Sequence, residues 1–131
     1  MNGDTSIGQR IQAYDYTLQL FKRHPWLGNG TGSYPHLMNK ENPISGHQAI
    51  EPHNEYCLIA SEFGMVGLTL LFIFFSTLLW TSYRLQKMRS IAIAIMLSFM
   101  IGNLSESLLY FPSTGYFFMC MMALCLGEII Q

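Results

Sequence analysis

Residues 63–83 run for 21 positions without a charged side chain, and this stretch constrains the chain more than any other feature. As an α-helix rising 1.5 Å per residue it is long enough to cross a hydrocarbon core of about 30 Å. In lipid only a helix or a closed barrel satisfies its own backbone groups, so the helix is the expected form here. The chain is therefore read as an all-α integral membrane protein whose first span covers 63–83. Its 11% of charged residues falls well below the roughly one quarter usual for soluble domains, in keeping with that class. A net charge of −1 offers no basic surface, which excludes nucleic acid as a partner. Cys57, Cys120 and Cys125 lie in or beside apolar sequence and read as small hydrophobes rather than a disulfide framework. Met1-Asn2-Gly3-Asp4 has neither the basic nor the apolar region of a secretory leader, so none is expected.

Two further apolar segments follow, giving about three transmembrane helices at approximately 63–83, 90–110 and 113–130. Trp80 and Tyr83 stand where an aromatic belt belongs, and Pro112 and Gly115 mark the turn before the last span. The connector 84–89 carries Arg84, Lys87 and Arg89, three of the seven basic residues, and no acid. By the positive-inside rule it faces the cytoplasm, so residues 1–62 lie on the opposite, external side. Seven of the eight acids then fall on that side.

The external segment divides into a helix and loops. Thr5 or Ser6 can cap a helix whose apolar positions Ile7, Ile11, Tyr14, Leu18 and Phe21 recur at three- and four-residue steps. It is amphipathic, suited to lying on a bilayer or packing on other helices. His24-Pro25 ends it. Trp26-Leu27-Gly28-Asn29-Gly30-Thr31-Gly32 reads as a loop of tight turns; it lacks the spacing and the preceding strand of a dinucleotide fingerprint. Residues 35–52 read as a polar surface loop. His36 and His47 within it have no metal-ligand spacing, so neither a metal nor another cofactor is expected.

Arg10, His53, Asn54, Glu55, Glu62, Asn103 and Glu106 gather at the external surface in this arrangement. A guanidinium stays charged and matches phosphate oxygens with paired hydrogen bonds. An imidazole accepts a proton at neutral pH. Together they suit a transfer in which arginine holds a phosphate leaving group while histidine deprotonates an acceptor hydroxyl, with the carboxylates orienting the ring or holding sugar hydroxyls. The competing assignments are structural: a hydrogen-bonded histidine, a headgroup-paired arginine, and glutamates that cap or pair at helix ends.

Three elements resemble the O-antigen ligase and polymerase family. They are Ser6-x-x-x-Arg10-x-x-x-Tyr14, then His24-Pro25-Trp26-Leu27-Gly28-Asn29-Gly30-Thr31-Gly32, then Pro52-His53-Asn54-Glu55-Tyr56. After His53-Asn54 come nine residues and Gly64-Met65-Val66-Gly67, which matches the ligase signature in full. The resemblance covers residues 5 to about 70 by motif and the remainder by hydropathy alone. It implies a metal-independent glycosyltransferase of the multi-span GT-C type in the bacterial inner membrane, with residues 1–62 in the periplasm. The implied donor is a glycan on undecaprenyl diphosphate, and the implied acceptor is a lipid A-core sugar.

On this resemblance His53 is the proposed base and Arg10 engages the diphosphate, while Tyr14, Asn54, Glu55, Glu62 and Glu106 are expected to bind substrate. Members of the family carry many more spans than three. The chain thus resembles a C-terminal third that lacks the N-terminal transmembrane helices and is inactive in isolation. Two alternatives remain open: an O-antigen polymerase or protein O-oligosaccharyltransferase with the same chemistry, and a non-catalytic membrane fragment that only packs with partner helices.

Overall fold

The computed structural model describes residues 6–41 and 51–130. Thr5 and His47, named above, lie outside them. Five α-helices follow in chain order, with no strand among the described residues: α1 (Ser6–Arg23), α2 (Ser33–Glu41), α3 (Glu55–Tyr83), α4 (Arg89–Gly102) and α5 (Pro112–Leu126), the last running into a 3₁₀ turn, Gly127–Ile130.

Helix α3 is one element by hydrogen bonding but two by direction. Asn54 caps its start by accepting the Cys57 N–H at 3.1 Å. At Gly64 the backbone leaves the helical region, with φ 63° and ψ −154°. Beyond that break, residues 65–83 form an apolar helix of about 29 Å, a close match to the hydrocarbon thickness. Among the described residues α3 is the one helix long and apolar enough to cross a membrane. The other two apolar segments are shorter than their hydropathy suggests. α4 has 14 residues and ends at Gly102 rather than near 110, and α5 has 15, against the roughly 20 expected of a span. Residues 103–111 leave the helix because Asn103 turns back on it. Its Nδ2 donates to the Phe99 carbonyl and its Oδ1 accepts the Leu108 N–H.

Helices α3, α4 and α5 pack on each other around Phe75, Met96, Phe99, Phe118 and Met122. Phe99 and Phe118 stack with ring centroids 3.9 Å apart. At the far end Glu128 accepts the backbone N–H groups of Gln86, Lys87 and Met88 at 2.8–3.0 Å, tying the basic connector to the end of the bundle.

A second core lies at the N-terminal end of α3, where Tyr16 and Leu20 of α1 meet Tyr34 and Met38 of α2 and Leu58 of α3. One expectation changes here. Residues 33–41 are helical rather than an irregular loop: Tyr34 and Met38 are fully buried one turn apart, and Pro35 sits in the first turn, where its missing N–H costs nothing. Helix α1 packs on the others through the face beside its apolar stripe. Ala13, Tyr16, Thr17 and Leu20 pack inward, whereas Ile7, Ile11 and Leu18 are exposed.

Candidate active site

The 24–30 turn and the break in α3 fit into each other. Pro25 O accepts the Met65 N–H at 2.8 Å, and Trp26 O accepts the Val66 N–H at 3.2 Å. Gly30 N donates to Glu62 O, and the Asn29 side chain donates to the Leu20 and Ser61 carbonyls. The turn thus satisfies backbone groups that the interrupted helix leaves open. The approach demands glycine on both sides. A Cβ on Gly28 would stand 2.3 Å from the Glu62 backbone, and one on Gly64 would stand 2.6 Å from the Trp26 carbonyl. The two glycine motifs singled out in the sequence are therefore one structural joint.

This joint positions α1 and the start of α3 side by side, and Arg10, His53 and Glu106 gather at their N-terminal ends. His53 immediately precedes the cap of α3 and takes a left-handed backbone conformation, φ 53°, which is uncommon outside glycine and marks local strain. That conformation turns its ring toward the 103–111 segment. His53 Nδ1 lies 3.0 Å from Glu106 Oε2 and 3.5 Å from Glu51 Oε1. Arg10 Nη2 reaches the other oxygen of Glu106 at 3.4 Å. Glu106 thus bridges a guanidinium from α1 and an imidazole from the α3 entry. With two carboxylates facing Nδ1, the ring proton belongs on that nitrogen, which leaves Nε2 as the acceptor.

Glu51 was absent from the residues expected at the site. Its side chain is buried, and its Oε2 has no hydrogen-bond partner among the described residues. Ligand atoms of Glu51, His53 and Glu106 all lie within 4.8 Å of one another. That spacing could accommodate a divalent cation, although the Arg10 guanidinium competes for Glu106.

The remaining expected residues separate. Asn54 caps α3 and donates to the Leu104 carbonyl at 3.0 Å, holding Glu106's segment in place. Glu55 is buried, and its Oε2 accepts the Leu109 and Tyr110 N–H groups at 3.2 Å. Desolvation raises its carboxyl above the usual range, and those two donors offset part of the rise. Glu62 is buried too and accepts the Tyr34 N–H at the start of α2. Neither carboxylate is brought to the cluster; each closes a segment's backbone.

Tyr14 forms one wall of an open apolar groove of about 370 Å³ between α1 and α3. Leu18, Phe21, Tyr56 and Cys57 line it further, and Asn54 joins it to the His53 end.

Residues 1–72, more than half of the chain, match the family model described as O-antigen ligase. The match takes in Arg10, Glu51 and His53 and stops before Glu106. No curated protein matches the chain.

Proposed function

The chain belongs to the O-antigen ligase family, and from that premise we propose that it is the C-terminal portion of a periplasm-facing glycosyltransferase, with His53 as base and Arg10 as diphosphate binder. On this reading residues 1–62 lie outside the inner membrane, and residues 63–131 form its membrane part, α4 and α5 included. The donor is a glycan on undecaprenyl diphosphate and the acceptor a sugar hydroxyl of the lipid A core.

One observation carries the assignment. Three segments distant in the chain bring Arg10 and His53 to the two carboxylate oxygens of Glu106 at the N-terminal end of α3, beside an apolar groove. The acceptor oxygen attacks the anomeric carbon as its proton passes to His53 Nε2. The bond from that carbon to the diphosphate oxygen breaks, and its electron pair leaves with the diphosphate. Arg10, whose guanidinium is partly exposed, faces that growing negative charge. Glu106 stabilises the imidazolium formed and fixes the ring through Nδ1–H. The groove along Tyr14, Leu18 and Phe21 suits the first isoprene units of the carrier.

In the full-length enzyme, His53→Ala should lower glycan transfer to the lipid core by about 10²–10⁴-fold, the usual contribution of a positioned general base, with lipid-linked donor accumulating. Undiminished transfer would remove His53 from the mechanism. Labelled products in the lipid core, in a growing polymer or on protein separate the ligase from its two chemical alternatives.

A further inference from the structure

Trp26 and Leu27 are 73% and 75% exposed, yet the turn that carries them is fixed. Its carbonyls at Pro25 and Trp26 hold the N–H groups of Met65 and Val66, the first residues of the straight apolar helix. Gly28 N closes the turn on the His24 carbonyl, and Asn29 locks its exit to Leu20 and Ser61. Two bulky apolar side chains are thus presented outward at the level where the uncharged run begins. Met65, Val66, Leu70 and Ile73, exposed on the same run, continue the apolar surface along α3. An indole with an apolar body and one N–H donor is best placed where hydrocarbon meets headgroups.

We propose that the Pro25–Leu27 turn is a bilayer-interface anchor: Trp26 and Leu27 insert at the headgroup boundary of the leaflet where α3 enters, and thereby set the depth of the Arg10–Glu106–His53 cluster. The proposal rests on the reading of residues 65–83 as a span. A phospholipid interface is favoured over another helix because the exposed pair is continuous with the surface of α3 that faces lipid in that reading. Among the described residues Trp26 is held through its backbone carbonyl while its side chain stands exposed, so that side chain can be changed without loosening the joint.

The chain has two tryptophans, and Trp80 stands exposed near the other end of the same helix. Trp80→Phe leaves Trp26 as the single reporter, and Trp26→Phe leaves Trp80 as a control on the span. The full chain is reconstituted in phosphatidylcholine–phosphatidylglycerol vesicles carrying a nitroxide at the headgroup, at a shallow acyl carbon or at a deep one. Trp26 should be quenched most by the shallow probes, least by the deep one and little by aqueous iodide. If Trp26 escapes every lipid probe while Trp80 is quenched, the span stands and the anchor is refuted, whether water or a protein segment covers the turn. If neither tryptophan is quenched, the span fails and the anchor falls with it. As a second arm, Trp26→Ser with Leu27→Ser should preserve the unfolding midpoint in detergent yet weaken the quenching of a fluorophore attached near residue 53 by headgroup nitroxides. Unchanged quenching there would show that the turn does not set the depth of the site.

Discussion

Replacing Gly64 by alanine tests the joint on which the site's placement depends. At φ 63° and ψ −154° the residue occupies a region that is almost exclusively glycine's, and an L side chain there costs about 1–3 kcal/mol in backbone strain. The new Cβ would also stand 2.6–2.7 Å from the carbonyl oxygens of Pro25 and Trp26. These are backbone atoms, so they cannot rotate away as a side chain would. Relief requires the turn to withdraw, which breaks the hydrogen bonds from Met65 and Val66, each worth about 0.5–1.5 kcal/mol. The expected loss is therefore about 4 kcal/mol, large for a single methyl. Gly32→Ala is the internal comparison. Gly32 also has a positive φ of 71°, but a Cβ there meets nothing within 4 Å, so its loss should be about 1 kcal/mol. Reversible unfolding of both variants in mixed detergent micelles, followed by tryptophan fluorescence, measures the difference. Equal losses would show that the clash with the turn is illusory and that only the dihedral matters.

Other expectations follow from the same contacts. Arg10→Lys keeps the charge but loses the planar fork, so the KM for lipid-linked donor should rise by about tenfold or more, equivalent to about 1.5–3 kcal/mol for a charged hydrogen bond; kinetics in membranes from cells expressing the full-length enzyme check this. Glu106→Gln should lower transfer by about 10–100-fold, the usual range for a group that orients another; undiminished transfer would remove Glu106 from the mechanism. Glu41 accepts hydrogen bonds from Arg23 at 2.8 Å and from the Tyr16 hydroxyl at 3.0 Å, and these hold its carboxyl below its ordinary 4.5. Because the folded value is depressed, the stability this carboxylate contributes is present above pH 4.5 and lost as pH falls through the folded value below it. A pH series of unfolding midpoints should show that decline, and Glu41→Gln should flatten it. Glu128→Ala removes the acceptor for three connector amides, so hydrogen exchange at residues 86–88 should accelerate by about tenfold, the equivalent of about 1.4 kcal/mol.

How much of this was readable beforehand depended on the range of the interactions involved. The long apolar run and the α1 periodicity are local, and the structure places both as helices, whereas Asn54, expected to bind substrate, proves to cap α3. The α2 helix was legible in principle, since Tyr34 and Met38 lie one turn apart, but Pro35 and the polar residues around it masked the period. The two glycine motifs were visible as motifs without their purpose, because the joint forms only when residues 24–30 meet residues 61–66. Burial of Glu55 and Glu62 was hidden for the same reason: their acceptors are filled by N–H groups 54 and 28 positions away. Glu51 lies two residues before His53, a spacing that carries no message until the left-handed turn at His53 brings both side chains to one place. For α1 the period was legible, and of the two uses it left open, lying on a bilayer or packing on helices, the packing falls to the neighbouring face of Ala13, Tyr16 and Leu20.

The bridging role of Glu106 has an evolutionary consequence. The matched region ends at residue 72, so the two basic groups of the cluster lie within it while the carboxylate joining them comes from a later turn. Recombination between diverged relatives at that boundary would inherit His53 and Arg10 from one parent and the carboxylate that contacts both from the other. Such hybrids would keep both contacts only where both lineages hold an acid at the same height, which makes the 103–111 turn a point of compatibility between the two halves.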